Sequence, residues 1–507
     1  MRNASRSLRL VTGLLLAGAL LTASPIGGSS PAAAFRMGGF GFGRMGGGGF
    51  MGGGGMRGRA MLAPRRGTGK IVGRHTGGQR GGGTGNEGGR GRRHPIIVPE
   101  FGGVGGDGGA NVSDALAGGG GRNRGSGVPP RGERRFVPDE IIVEFAPGAT
   151  PQAIDRLARR YNLTRLESQS FPLIGSTFYR WRIARGRSVP NVVGVIEDER
   201  IVASAQPNYI FTLQQEAASA AAAARGDAAQ YVLAKLQIEE AHQVATGKNI
   251  LVAVIDSQID AKHPDLDGTI AQSVDELGGE ENPPQHGTAI AGAIAAHGKL
   301  LGIAPGVRLL AARAFDDTPG KSRGSSFAIY KSLQWAADDG ARVVNMSFVG
   351  PADPALHRML AAAYAKEMVL IAAAGNAGPD SAPLYPAADP DVIAVTATDS
   401  HDGLFKMANR GRYIAVAAPG VDILALAPGA AYQITTGTSV AAAHVSGIAA
   451  LLLERDPSLK PKDVRAIITA TAKPEAALGA GLVNAYRAVL SLSGKPAEKA
   501  DGEQVKQ

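Results

Sequence analysis

Residues 341–376 read ARVVNMSFVGPADPALHRMLAAAYAKEMVLIAAAGN, and this stretch decides the fold. ARVVNMSF and MVLIAAAGN are short, nearly continuous apolar runs, as expected of strands buried on both faces. PALHRMLAAAYAKE between them has helical spacing. Strand, helix, strand is a parallel crossover unit. The pattern extends both ways. ILVAVID (250–256), VRLLAARAF (307–315) and VIAVTAT (392–398) are further apolar strands, and KSRGSSFAIYKSLQWAADDG (321–340) reads as another helix. Residues 230–490 therefore predict a doubly wound, mostly parallel α/β sheet with helices on both faces. In such sheets reactive residues gather at the carboxyl ends of the strands.

The rest of the 507-residue chain is composed differently. The whole chain has 72 glycines, no cysteine and a net charge of +10. The lack of cysteine excludes a disulfide scaffold, a thiolate nucleophile and a Cys-ligated metal site. Residues 35–135 hold 38 of the glycines and 17 Lys/Arg against 5 Asp/Glu. Glycine has the most backbone entropy to lose, and few apolar side chains offset it, so this basic arm is expected to be disordered. It is either a solvated spacer or a tether to an anionic cell-envelope surface. Residues 1–34 read as a signal peptide: Arg2, Arg6 and Arg9, the short apolar core Leu10 to Leu21, and Ala32-Ala33-Ala34 before Phe35. An uncleaved anchor is the other reading of that core. Export places the protein outside the cytoplasm, whether extracellular, on the cell surface or periplasmic, and makes nucleic acid an unexpected partner. Residues 136–213 show strand and helix signals in the order β-α-β-β-α-β, which predicts a small ferredoxin-like α+β module. Residues 214–229 are an alanine-rich linker, and 491–507 a polar tail.

Three residues in the α/β region carry chemistry. Asp256 ends the strand ILVAVID, His286 opens HGTAIAGAIAA, and Ser439 lies in GTSVAAAHVSGIAALLLE at a glycine turn entering an apolar helix. A serine hydroxyl needs a base to take its proton, and histidine is the natural base near neutral pH. A buried aspartate can hold that imidazole in one tautomer and stabilise its cation. Free N–H groups at a helix start suit a developing oxyanion. Taken singly, each residue also fits an ordinary N-cap, turn or surface position.

Together the segments resemble the subtilisin-like serine proteases, or subtilases. AVIDSQID, HGTAIAG and GTSVAAAHVSG are similar to that family's Asp, His and Ser motifs, in its order. HPDL (263–266), GIAPGVRLLAARAF (302–315), VVNMSF (343–348), AAAGNAG (372–378) and GAGLVNAYRAV (479–489) agree with its connecting text. The resemblance implies a serine endopeptidase with Ser439 as nucleophile, His286 as general base and Asp256 as orienting carboxylate. It implies that the Asn376 amide donates to the oxyanion. Ser347, Phe348 and Val349 would line one side of the polypeptide substrate, and residues 322–325 the other. Residues 136–213 would be a propeptide, an intramolecular inhibitor removed by self-cleavage in the linker, leaving a monomer. Departures from the family pattern are Gln258, Ala289, Val349, Val440 and Ala443. Val349 stands where glycine is usual, so its side chain is expected to crowd the substrate edge. No cofactor is implied. The family's calcium loop is missing from GAIAAHGKLLGIAP, so no metal is expected at Asp265, and Asp275, Glu276, Glu280 and Glu281 read as a solvated loop. A second reading is a catalytically silent homologue that binds the envelope through its arm.

Overall fold

The computed structural model describes residues 126–214, 230–278, 285–317, 322–475 and 478–493. The signal segment, residues 35–125 of the arm, most of the linker, Glu280, Glu281 and residues 494–507 lie outside them. The N-terminal module runs β1 (Phe136–Phe145), α1 (Pro151–Tyr161), β2 (Leu163–Phe171), β3 (Ser176–Ile183), α2 (Val189–Glu197) and β4 (Val202–Leu213). Its strands pair antiparallel in the order β2-β3-β1-β4. Thr150 caps α1 by accepting from Ala153 N–H, Pro151 opens the helix, and Asn162 in the left-handed region ends it. Period-two alternation divides the sheet's side chains. Ile141, Val143, Trp181 and Ile183 pack with Leu157, Val192 and Ile196 of the two helices, while Ile142, Phe171 and Phe178 face the other way.

The C-terminal module contributes α3 (Tyr231–Leu236), α4 (Ile238–His242), β5 (Leu251–Asp256), β6 (Ile270–Asp275), α5 (Gln285–Ala295), β7 (Arg308–Arg313), β8 (Phe315–Asp316) and β9 (Arg323–Ser325). Then follow α6 (Ser326–Asp338), β10 (Val343–Met346), β11 (Phe348–Val349), α7 (Pro354–Ala365), β12 (Val369–Ala373), β13 (Val392–Thr398) and β14 (Ile414–Pro419). The chain closes with β15 (Ile423–Ala427), β16 (Ala431–Thr435), α8 (Thr438–Arg455), α9 (Pro461–Thr471) and α10 (Ala485–Leu490). Seven strands form a wholly parallel sheet ordered β14-β13-β12-β10-β5-β7-β6. The chain leaves β5 for β6 and β7 on one side and then crosses to β10 on the other. The carboxyl end of β5 is thus a switch point. Both sheet faces are buried. Val252, Val254 and Ile371 pack with α5 and α8, whereas Ala253, Ile255 and Leu370 pack with α6 and α7. Among the described residues no helix is long and apolar enough to cross a membrane.

Three details differ from the sequence reading. β6 is a half-exposed edge strand, so IAQSVD lacks an apolar run and carries no strand signal. β14 and the β15–β16 hairpin are likewise not among the strands read from sequence. Residues 323–325, read as the start of a helix, are strand β9; the helix begins at Ser326, capped by Ser325.

The modules join through β4. It pairs antiparallel with β9 (Ile210↔Ser325, Phe211↔Gly324, Thr212↔Arg323) and with β11 (Phe348↔Leu213, Val349↔Thr212). The outer face of the N-terminal sheet covers α6 and α7, whose N-termini it also caps. Asn208 Oδ1 accepts from Phe327 N–H, the α6 end, at 3.2 Å. Gln206 Oε1 accepts from Ala355 N–H, the α7 end, at 3.1 Å. Glu144 pairs with Arg358 at 2.7 Å, and Glu167 with Lys331 at 3.1 Å. The Phe171 ring, fully buried, lies 5.3 Å from Phe178, 6.0 Å from Phe327 and 6.2 Å from Tyr330. Phe171→Ala is expected to cost about 3–5 kcal/mol, read as a lower denaturation midpoint of the uncleaved chain. An unchanged midpoint would contradict this packing.

Candidate active site

The carboxyl end of β5 places Asp256 at full burial beside the first turn of α5. Asp256 Oδ1 accepts from His286 Nδ1–H and from Ser257 N–H, both at 2.7 Å. The close approach of α5 to the loop after β5 depends on Gly287. A Cβ there would lie 2.5 Å from the Ser257 carbonyl oxygen and 2.6 Å from that of Gln258. Gly287 N–H donates instead to Ser257 Oγ at 2.9 Å. With Nδ1 bonded to Asp256, His286 Nε2 carries the free lone pair; it is buried and has no hydrogen-bond partner among the described residues. Burial pulls the His286 pKa down, but the charge and hydrogen bond of Asp256, with the charge of Asp317, outweigh it and leave the pKa raised.

Ser439 is the second residue of α8 and nearly fully buried. Its Oγ donates to the backbone carbonyl of Gln214, the residue just past β4. A chain of buried polar groups fixes its backbone. Ser446 Oγ donates to Asn345 Oδ1 at 3.0 Å, Asn345 Nδ2 to Ser347 Oγ at 2.9 Å, and Ser347 Oγ to the Ser439 carbonyl at 3.0 Å. Asn376 follows β12. Its Oδ1 accepts from Thr438 N–H at 3.1 Å and Thr438 Oγ1 at 2.9 Å. That leaves Nδ2, buried and without a hydrogen-bond partner among the described residues, as a free donor. Gly437 marks where these groups converge. A Cβ on it would lie 2.5 Å from the Gln214 carbonyl oxygen, 3.0 Å from Asn376 Nδ2 and 3.3 Å from Ser439 Oγ. The Ser439 group can hold a carbonyl against a hydroxyl with an amide donor alongside, and the Asp256–His286 pair is an aspartate-oriented imidazole.

The expected residues thus fall in two groups. Asp256 and His286 are bonded to each other, whereas Ser439 and Asn376 gather around Gln214. Ser347, Phe348 and Val349 form the edge beside β4, with Gln214 N–H donating to the Ser347 carbonyl at 3.3 Å. The Val349 side chain does not keep a strand off this edge, since Val349 pairs with Thr212. Gln214 and Asp317 are missing from the sequence reading. Gln214 is signalled by the apolar alternation of Ile210–Leu213 running on from the last strand read there. Asp317, whose Oδ2 accepts from His286 N–H at 2.9 Å, has no local signal. Asp265 Oδ2 accepts from Leu300 N–H at 2.8 Å and Oδ1 from Tyr432 OH at 3.3 Å. Asp275 pairs with Arg313, and Glu276 with Lys331. Among the described residues no three His, Cys, Asp or Glu side chains gather as a metal site.

Known proteins share these features. The subtilase family model matches residues 247–489, and the fervidolysin N-terminal prodomain model matches residues 123–208. A thermophilic serine proteinase of Bacillus sp. (strain AK1) is 31% identical over 367 residues, 70% of this chain and 88% of that protein. Thermitase of Thermoactinomyces vulgaris is 35% identical over 272 residues, 51% of this chain and 95% of its own. The crystal structure of fervidolysin from Fervidobacterium pennivorans, a keratinolytic enzyme related to subtilisin, aligns with a TM-score of 0.60 at 25% identity. The alignment covers 70% of this chain and 61% of that one. The match reaches from the N-terminal module through the parallel sheet and its site, and the chain belongs to the subtilase family of subtilisin-like serine proteases.

Proposed function

We propose that this serine endopeptidase is exported as a zymogen, with Ser439, His286 and Asp256 as its triad. In this reading the N-terminal module blocks the site until the Gln214–Gln215 bond is cut. The observation that carries it is the seating of β4 between β9 and β11, with the Gln214 carbonyl on Ser439 Oγ. A polypeptide substrate would add to the same two edges as an extended strand. The strand order and antiparallel pairing of the N-terminal module support its reading as ferredoxin-like. Export rests on the signal features of residues 1–34. Cleavage removes the basic arm with the module and leaves residues 215–507, which carry 25 Lys/Arg against 31 Asp/Glu.

The geometry supports the following chemistry in this reading. Ser439 Oγ turns from the carbonyl oxygen toward the carbonyl carbon as His286 Nε2 takes its proton. Asp256 keeps Nδ1–H in place and stabilises the imidazolium that forms. The tetrahedral oxyanion receives the free Nδ2–H of Asn376. The imidazolium then protonates the departing amine, the acyl-enzyme remains, and water attacks it by the same proton route.

Three outcomes are expected. Wild-type protein is labelled by a serine-directed fluorophosphonate after maturation, whereas Ser439→Ala is neither labelled nor processed in the linker. Unchanged processing of purified Ser439→Ala would sink self-cleavage, and a matured wild type that never labels would sink the enzyme reading. Asn376→Ala lowers kcat by about 10²–10³-fold with little change in KM, measured on a peptide substrate. A change confined to KM would exclude the oxyanion role. The base must be neutral to act, and its pKa is raised, so kcat/KM falls on acidification through a midpoint above the ordinary histidine value of 6.5. A midpoint below that value in the pH–rate profile would contradict the Asp256 and Asp317 contribution.

A further inference from the structure

Asp317 lies just beyond β8 and is half-buried. Its two carboxylate oxygens bond in different directions. Oδ2 accepts from His286 N–H at 2.9 Å, on the first turn of α5. Oδ1 accepts from Ser322 Oγ at 2.9 Å. The carbonyl of Ser322 in turn accepts from Leu213 N–H at 3.4 Å, at the strand seated in the site. Ser257 Oγ, which receives Gly287 N–H, lies 3.5 Å from Asp317 Oδ2. A continuous path therefore runs from the peptide-binding edge through Ser322 and Asp317 to the backbone of the histidine. β8 pairs with β9, so Asp317 is anchored to the strand that holds the substrate side.

We propose that Asp317 is a positioning residue that ties the peptide-binding edge to the catalytic histidine. This rests on the reading of His286 as the general base. A carboxylate that only capped α5 would need no second bond to the edge. The two bonds let one carboxylate set both where the peptide backbone lies and where the imidazole is carried. A misplacement of either end is felt directly in proton transfer. The charge acts as well. Among the described residues, Asp256 from β5 and Asp317 from the segment after β8 are the ionised groups that raise the His286 pKa against burial.

The test compares matured wild type with Asp317→Ala and Asp317→Asn over a pH series on one peptide substrate. Hydrolysis and labelling by wild type test the triad reading separately, before either variant is considered. Asp317→Ala is expected to lose about tenfold in plateau kcat, the scale of a lost hydrogen bond to a charged group, with KM within about twofold. Asparagine keeps an acceptor for His286 N–H but not the charge, so Asp317→Asn recovers most of the plateau. In both variants the acid limb moves to lower pH, because the anion favouring the imidazolium is gone. Wild-type kcat in Asp317→Ala, or a loss wholly in KM, overturns the proposal. If Asp317→Ala does not fold, the limb of Asp317→Asn decides alone, and an unshifted limb overturns it.

Discussion

The structure depends on one strand finishing a sheet that another module begins. β9 has three residues and β11 two, and between them they offer backbone groups with room for one strand. β4 fills that gap, and its register decides which carbonyl reaches Ser439. A slip of one residue would turn every side chain of β4 to the opposite face. Two devices hold the register. Asn208 satisfies a free N–H group at the start of α6, and Gln206 shares the Ala355 N–H at the start of α7 with Asp353, where unpaired donors are costly. Phe211 then seats its ring edge-on to Phe348 with centroids 5.8 Å apart. The module that comes first in the chain is thus set against two helix ends, and its last residue reaches the site.

The site itself combines a buried polar network with two free atoms. Asn345, Ser347 and Ser446 are fully buried and bond to one another and to the Ser439 backbone. Their donors and acceptors are matched, which makes such a network rigid. His286 Nε2 and Asn376 Nδ2 are buried without hydrogen-bond partners among the described residues. An unpaired buried polar atom is destabilising by about 1–3 kcal/mol. In the proposed mechanism one receives a proton and the other donates to an oxyanion. Leaving them unpaired is the arrangement expected of a preorganised site.

Much of this was legible in the sequence for physical reasons. Strands buried on both faces must be apolar throughout, so β5, β10, β12 and β13 announce themselves. Asp256 stands out as a strand end, and His286 and Ser439 as helix starts close to a glycine. Other parts depend on partners far away in the chain. β6 is half-exposed and carries no apolar run. The last residues of β4, Phe211–Leu213, pair with segments more than a hundred positions later, so no nearby partner marks them as strand. Asp317 acts on a histidine 31 positions earlier, and no local pattern marks a carboxylate for that work. Asp265 was legible as a residue but not in its contacts, because Leu300 and Tyr432 reach it only after the sheet has formed.

The register of β4 presents the Gln214 carbonyl, and no other, to Ser439. The C-terminus of the released N-terminal module reports it without interference from later trimming of the mature chain. Mass spectrometry of that module, isolated as processing occurs, is predicted to find chains ending at Gln214. A module ending anywhere else in the linker, with Gln214–Gln215 intact, would contradict the account.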